Sequence, residues 1–276
     1  MTPNPVLLKL GPVTVYWYGF LIMTGVGLAA YIAARLSRDD GQDPEHVWNA
    51  LMLCLVFGIL GARLYHVIDL WDYYSQHPNQ ILSFHMQGFG IYGAVLGGML
   101  GMFIYTSLKK LSFLQWADYA FVGVPLAQAL GRWGNFFNQE LYGYPTDLPW
   151  GIYIEPAHRL PGFEQYERFH PTFLYESIWN LLSFIVLWVV ARRYKKQLLR
   201  GDIACLYGML YPLGRFFVEF QRPDAWTIGG IPTAQIVAVV AFLFCGAIIV
   251  YRHFIAKQKP VIEGPFDGSA EEELAE

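Results

Sequence analysis

Seven stretches of the chain are apolar almost throughout: 13–35, 47–68, 89–108, 113–135, 173–191, 203–221 and 232–252. Each is near the roughly 20 residues that a helix needs to cross a bilayer. The pattern predicts an all-α integral membrane protein, a bundle of seven transmembrane helices occupying residues 1–258. The longest connection, 136–172, holds Pro145, Pro149, Pro156 and Pro161 among aromatic residues. Long connections of this kind tend to have a role of their own, and this one is expected to form a small extracytoplasmic head. The end of the chain, 259–276, is acidic and short of large apolar residues, so it is expected to be a disordered cytoplasmic tail. Gly93, Gly97 and Gly101 recur every fourth residue in the third span, a spacing that lets two helices approach closely.

Charge orients the bundle. Of the 19 Lys and Arg residues, twelve fall at one set of span ends and four at the other. The richer side is cytoplasmic by the positive-inside rule, which puts the N-terminus outside and the C-terminus inside. The first twelve residues lack the basic region of a signal peptide, so the first hydrophobic segment is expected to stay in the protein.

Composition agrees with a membrane protein. Hydrophobic residues make up 55% and charged residues 15%, against about 25% charged in soluble domains. A net charge of -3 offers no basic field for nucleic acid. Cys54, Cys205 and Cys245 each sit in an apolar run without a CxxC neighbour, as small buried hydrophobes do. No HxxxH spacing occurs, so a metal site is not expected.

The three remaining arginines, Arg63, Arg132 and Arg215, lie within spans. Counted from the cytoplasmic start of each helix, they stand roughly 24, 28 and 18 Å up at about 1.5 Å per residue. All three therefore fall in the outer half of a hydrocarbon layer about 30 Å thick. Ionisable residues there are costly and mark function by default. Glu219 follows Arg215 by four residues and shares its helix face. Glu140 closes the fourth span, Glu176 opens the fifth, and Tyr18 and Tyr92 lie near the outer ends of the first and third. Asp118, near an inner end, reads as a local helix or ion-pair feature. Any single residue of this set could be a snorkelling anchor or a belt aromatic. Their convergence at one depth points to an anion, and guanidinium forks suit phosphate. A phospholipid headgroup is the commonest phosphate at that depth.

The same residues carry a resemblance. "GRWGNFFNQELYG" (131–143), "WYG" (17–19), "HPTFLYE" (170–176) and "GRFFVEFQRPD" (214–224) together resemble the signature blocks of the bacterial prolipoprotein diacylglyceryl transferases. The likeness runs from about 13 to 255. It implies an enzyme of the cytoplasmic (inner) membrane that moves the diacylglyceryl group of phosphatidylglycerol to the lipobox cysteine of a prolipoprotein signal peptide. A thioether forms and glycerol phosphate leaves. Membrane lipids are its surroundings and no cofactor is implied. The resemblance implies catalytic roles for Arg132, Arg215, Glu219, Glu140 and Tyr18. It implies phosphatidylglycerol contacts for Arg132, Asn135, Gly143, Arg63, Tyr92 and Arg215.

One block departs from the pattern. Many members carry His-Gly-Gly in the third span, where this chain has Tyr92-Gly93-Ala94, with His85 seven residues earlier. Tyrosine, with a pKa of about 10, is a poor base at neutral pH. Either another group takes the thiol proton or no dedicated histidine is required. Competing classes fit less well. A transporter of phosphate-bearing anions would also place arginines in the membrane, but no internal repeat is present. An intramembrane hydrolase lacks a GxSxG or HExxH motif. A purely structural membrane protein leaves the charges of the outer layer without a purpose.

Overall fold

The computed structural model describes residues 3–81, 88 and 90–260; His85 and the acidic tail after Pro260 lie outside that set. Helices dominate: α1 (Trp17–Asp39), α2 (Glu45–Asp69), the single turn α3 (Trp71–Tyr74), α4 (Ile91–Leu108), α5 (Phe113–Asn138), α6 (Thr172–Arg193), α7 (Asp202–Glu219) and α8 (Thr233–Val250). Among the described residues, sheet is limited to the strand pairs β1 (Val6–Leu10) with β2 (Val13–Tyr16), β3 (Ile152–Tyr153) with β4 (Arg168–Phe169), and β5 (Thr227–Ile228) with β6 (Ile231–Pro232).

Among the described residues five helices are long and apolar enough to cross a membrane: α1, α2, α4, α6, and α8 with its continuation to Ile255. Helices α5 and α7 stand where spans were expected but fall short of that apolarity, and they are the two that carry Arg132 and Arg215. Each also contains a proline, Pro125 and Pro212, which removes one i→i−4 hydrogen bond from the helix interior. The start of the first expected span is corrected. Residues 13–16 are not helical but form strand β2, which pairs antiparallel with β1 across Gly11 at φ 58°. Val13-Thr14-Val15-Tyr16 is β-branched and aromatic, the composition that suits a pleated strand.

The chain divides into two compact units, Met1–Ala33 with Asp118–Glu263, and a second centred on Ala34–Ala117. In the second unit α2 and α4 lie backbone to backbone. A Cβ on Gly93 would come within 2.1 Å of the Gly61 carbonyl, and one on Gly97 within 2.1 Å of the Phe57 carbonyl. The glycine stripe expected to bring helices together does so here, and no side chain fits at either position.

In the first unit α1 meets α5 through small residues, Gly25 against Ala127 and Gly123 against Ala29. Helices α6 and α7 are joined by Trp179, whose indole N–H donates to the Leu210 carbonyl (2.8 Å) and whose ring covers Gly214. The start of α7 is held by Asp118, which accepts from the amides of Gly201 (2.6 Å) and Ala204 (2.9 Å). A carboxylate at a helix N-terminus satisfies amides that have no partner within the helix. Asp118 is thus the local helix feature it was expected to be. The 136–172 connection has a core of its own: Tyr142, Ile154 and Phe169 are buried, with Ile152, Leu160 and Phe163 packed around them.

Candidate active site

Glu176 is the junction of the site. It is buried on the first turns of α6, and its carboxylate receives one guanidinium from α5 and one from α7. Arg132 Nη2 lies 2.5 Å from Oε2, and Arg215 Nη1 donates to Oε1 at 3.1 Å. Arg215 spans further, with Nη2 2.5 Å from Glu219 one turn along α7. Glu219 is 4% exposed. Two guanidiniums and two carboxylates therefore meet in one layer, and their formal charges cancel.

Local packing aims these groups. Arg132 reaches Glu176 because α5 and α6 are pinned beside it: Trp133 Nε1 donates to Ser177 Oγ (3.2 Å), and that hydroxyl donates to the Ala129 carbonyl (2.9 Å). Trp133 also packs edge-on against Phe173. Arg132 and Asn135 are three residues apart on one face of α5, and Arg132 Nη1 donates to Asn135 Oδ1 at 3.5 Å. Asn135 Nδ2 donates in turn to Glu140 Oε1 at 2.9 Å, joined by Asn138 Nδ2 at 3.2 Å. A continuous polar relay results: Glu219, Arg215, Glu176, Arg132, Asn135, Glu140.

The end of α5 is shaped to present Glu140. Gln139 and Leu141 on either side both have positive φ, 54° and 56°. This left-handed conformation is costly for side chains other than glycine and persists only where surroundings fix it. Here Gln139 is buried and its Oε1 accepts the Glu155 amide at 2.8 Å, while the Thr172 hydroxyl donates to the Leu141 carbonyl. Gly143 follows at a point of close approach. A Cβ there would come within 2.7 Å of the Gln221 carbonyl and 2.8 Å of His170 Cβ, and its amide donates to the His170 carbonyl at 2.9 Å. Tyr18 lies against Gly134 of α5, where an added Cβ would meet its ring at 2.3 Å, and the neighbouring Trp17 stacks on Phe137. Tyr18 and Glu140 line the same cavity, of about 1130 Å3.

Arg222 of the GRFFVEFQRPD block and the two expected residues of the second unit fall as follows. Arg222 turns to Asp224, donating from Nε at 3.0 Å and from Nη2 at 2.7 Å. Burial opposes ionisation of Asp224, but the hydrogen bond and charge of Arg222 outweigh it and hold the carboxyl below its usual range. Arg63 and Tyr92 belong to the second unit. Arg63 is buried there and donates to the carbonyls of Gln80 (2.6 Å), Ile81 (3.0 Å) and Gly88 (3.4 Å) and to the Tyr74 hydroxyl (3.2 Å). Tyr92 is exposed and lies beside Tyr65.

Two contributors carried no assigned role in the sequence reading. Glu176 was noted at the start of the fifth span, yet only the fold shows that it serves both arginines. Gln139 gave no signal, because its part depends on a backbone conformation that residue type does not encode.

The family described as Prolipoprotein diacylglyceryl transferase matches residues 5–251. The phosphatidylglycerol–prolipoprotein diacylglyceryl transferase of Chloroflexus aggregans is 42% identical over 263 residues, covering 88% of this chain and 86% of that protein. The protein of that name from Symbiobacterium thermophilum is 45% identical over 240 residues, covering 86% and 88%. The one from Trichormus variabilis is 37% identical over 270 residues, covering 96% of each.

Proposed function

Because the chain belongs to the prolipoprotein diacylglyceryl transferase family, we propose that Arg132 and Arg215 hold the phosphate of phosphatidylglycerol at the ion-pair layer. The enzyme is a transferase acting in lipoprotein maturation, and its apolar helices make it a multi-pass membrane protein. The observation that supports the site is the meeting of two guanidiniums from α5 and α7 on the single buried carboxylate of Glu176.

The chemistry follows from charge. A cysteine thiol of the prolipoprotein, with a pKa of about 8.5, gives up its proton and attacks as thiolate. A carbon–sulfur bond forms at the glycerol carbon of the diacylglyceryl group. The carbon–oxygen bond to phosphate breaks, and its electron pair leaves on glycerol phosphate, which gains a negative charge. Arg132 and Arg215 stabilise that charge, the kind of help that often dominates catalysis. Asn135 orients the headgroup, and Glu219 and Glu176 hold the guanidiniums in place. Glu140 lies beside Tyr18 on the cavity side, where it takes the thiol proton. Gly143 lets the connection after Glu140 run close to His170. Tyr92 is a further lipid contact. Arg63 is another lipid contact, its guanidinium oriented by the carbonyls of Ile81 and Gln80 in its own unit. In an assay with headgroup-labelled phosphatidylglycerol in mixed micelles, labelled glycerol phosphate is expected only when a peptide with a lipobox cysteine is added. Release without the peptide would indicate a hydrolase instead.

The reading extends to topology. Helices α1, α2, α4, α5, α6, α7 and α8 are the seven spans, and the 136–172 core is a head on the outer face of the cytoplasmic membrane. The N-terminus lies outside, the acidic tail inside, and the active site in the outer half of the bilayer. A cysteine-free background carrying Tyr166→Cys should react with an impermeant maleimide on spheroplasts, while Lys195→Cys should react only after lysis. The reverse labelling would overturn this orientation.

A further inference from the structure

The cavity that Tyr18 and Glu140 line includes none of the ion-paired residues, and its other walls belong to parts of the chain with no role so far. They are strand β2, with Thr14, Val15 and Tyr16, and the Glu155 and His158 stretch of the 136–172 connection. We infer that this cavity is the acceptor groove, which holds an extended stretch of the prolipoprotein around its cysteine. The inference rests on the transfer reaction proposed above.

Charge separates the two substrates. None of the described residues lining the cavity is Lys or Arg, whereas Glu140 and Glu155 both line it. An anionic phospholipid headgroup is repelled from such a surface, and its phosphate has the two guanidiniums elsewhere in the unit. A polypeptide brings neutral amide N–H donors, which carboxylates accept. Size agrees: small-ligand sites run to about 1,000 Å3, and this cavity reaches about 1130 Å3. The strand wall adds a specific mode. Among the described residues β2 pairs with β1 on one edge only. An extended peptide can add to a free strand edge through main-chain hydrogen bonds. Continuity fixes the direction. Glu140 lines the cavity and is one hydrogen-bonded side chain, Asn135, from Arg132. A cysteine delivered along β2 would thus arrive at the phosphate side of the site.

Full-length protein in mixed micelles of phosphatidylglycerol decides the matter, with a synthetic lipobox peptide as acceptor. Glu155→Lys and Thr14→Trp are each expected to raise the KM for the peptide by about tenfold, the effect of disturbing one well-buried contact. The KM for phosphatidylglycerol should stay unchanged. A benzophenone amino acid in place of Tyr16 should crosslink to the peptide under light. An unchanged peptide KM in Glu155→Lys, or crosslinking to lipid alone, would overturn the groove. If the parent enzyme itself releases no glycerol phosphate with peptide present, the transfer reading fails rather than the groove.

Discussion

Arg215→Ala is expected to lower diacylglyceryl transfer by about 10²–10³-fold, the usual cost of losing one donor aimed at developing charge. Its guanidinium reaches Glu176 and Glu219 with separate nitrogens, so in one substitution Glu219 loses its arginine and Glu176 is left with Arg132 alone. Arg215→Lys is expected to recover only part of the rate. An ammonium is a compact charge without a planar fork and cannot span two carboxylates on different helices in the same way. The measurement is transfer to a cysteine peptide in membranes normalised for enzyme content. Near-normal activity at normal expression would remove the phosphate role from Arg215.

Glu176→Gln is expected to act on stability and activity together. The substitution keeps size and removes charge, which leaves Arg132 without its carboxylate and Arg215 with Glu219 alone. Breaking a buried pair costs about 3–5 kcal/mol. The low end applies, because the two arginine side chains keep 20% and 18% of their exposure. Thermal unfolding in detergent reads the first effect. For the second, the KM for phosphatidylglycerol should rise more than the KM for the peptide, since the guanidiniums lose their aim while the acceptor cavity is untouched. Equal changes in both would mean that Glu176 only holds helices together.

Much of this arrangement was legible in the chain. Six of the seven expected spans coincide with helices to within three residues at either end, because sustained apolar runs leave the backbone no alternative to internal hydrogen bonding. The seventh failed at its start, where Val13–Tyr16 reads as apolar in any window but pairs with β1. The Arg215–Glu219 pair was visible as an i,i+4 spacing. The bond between Arg132 and Glu176 was not, since 44 positions separate them and only the packing of α5 on α6 brings them together. Nor was it legible that Glu140 accepts from Asn135 and Asn138. The reason is the bend at Gln139 and Leu141, which depends on partners far along the chain.

The cancellation of charge within the ion-pair layer bears on turnover. A pocket with surplus positive charge would grip the departing dianion more tightly than the monoanionic lipid it came from, and each cycle would end in a trap. A self-neutralised layer avoids this. With the phosphate held as proposed, the lipid would displace a carboxylate to enter, and the same carboxylate would reclaim its guanidinium when glycerol phosphate loosens. On that proposal Glu176, shared between two arginines, would be a built-in competitor that clears the enzyme for the next lipid.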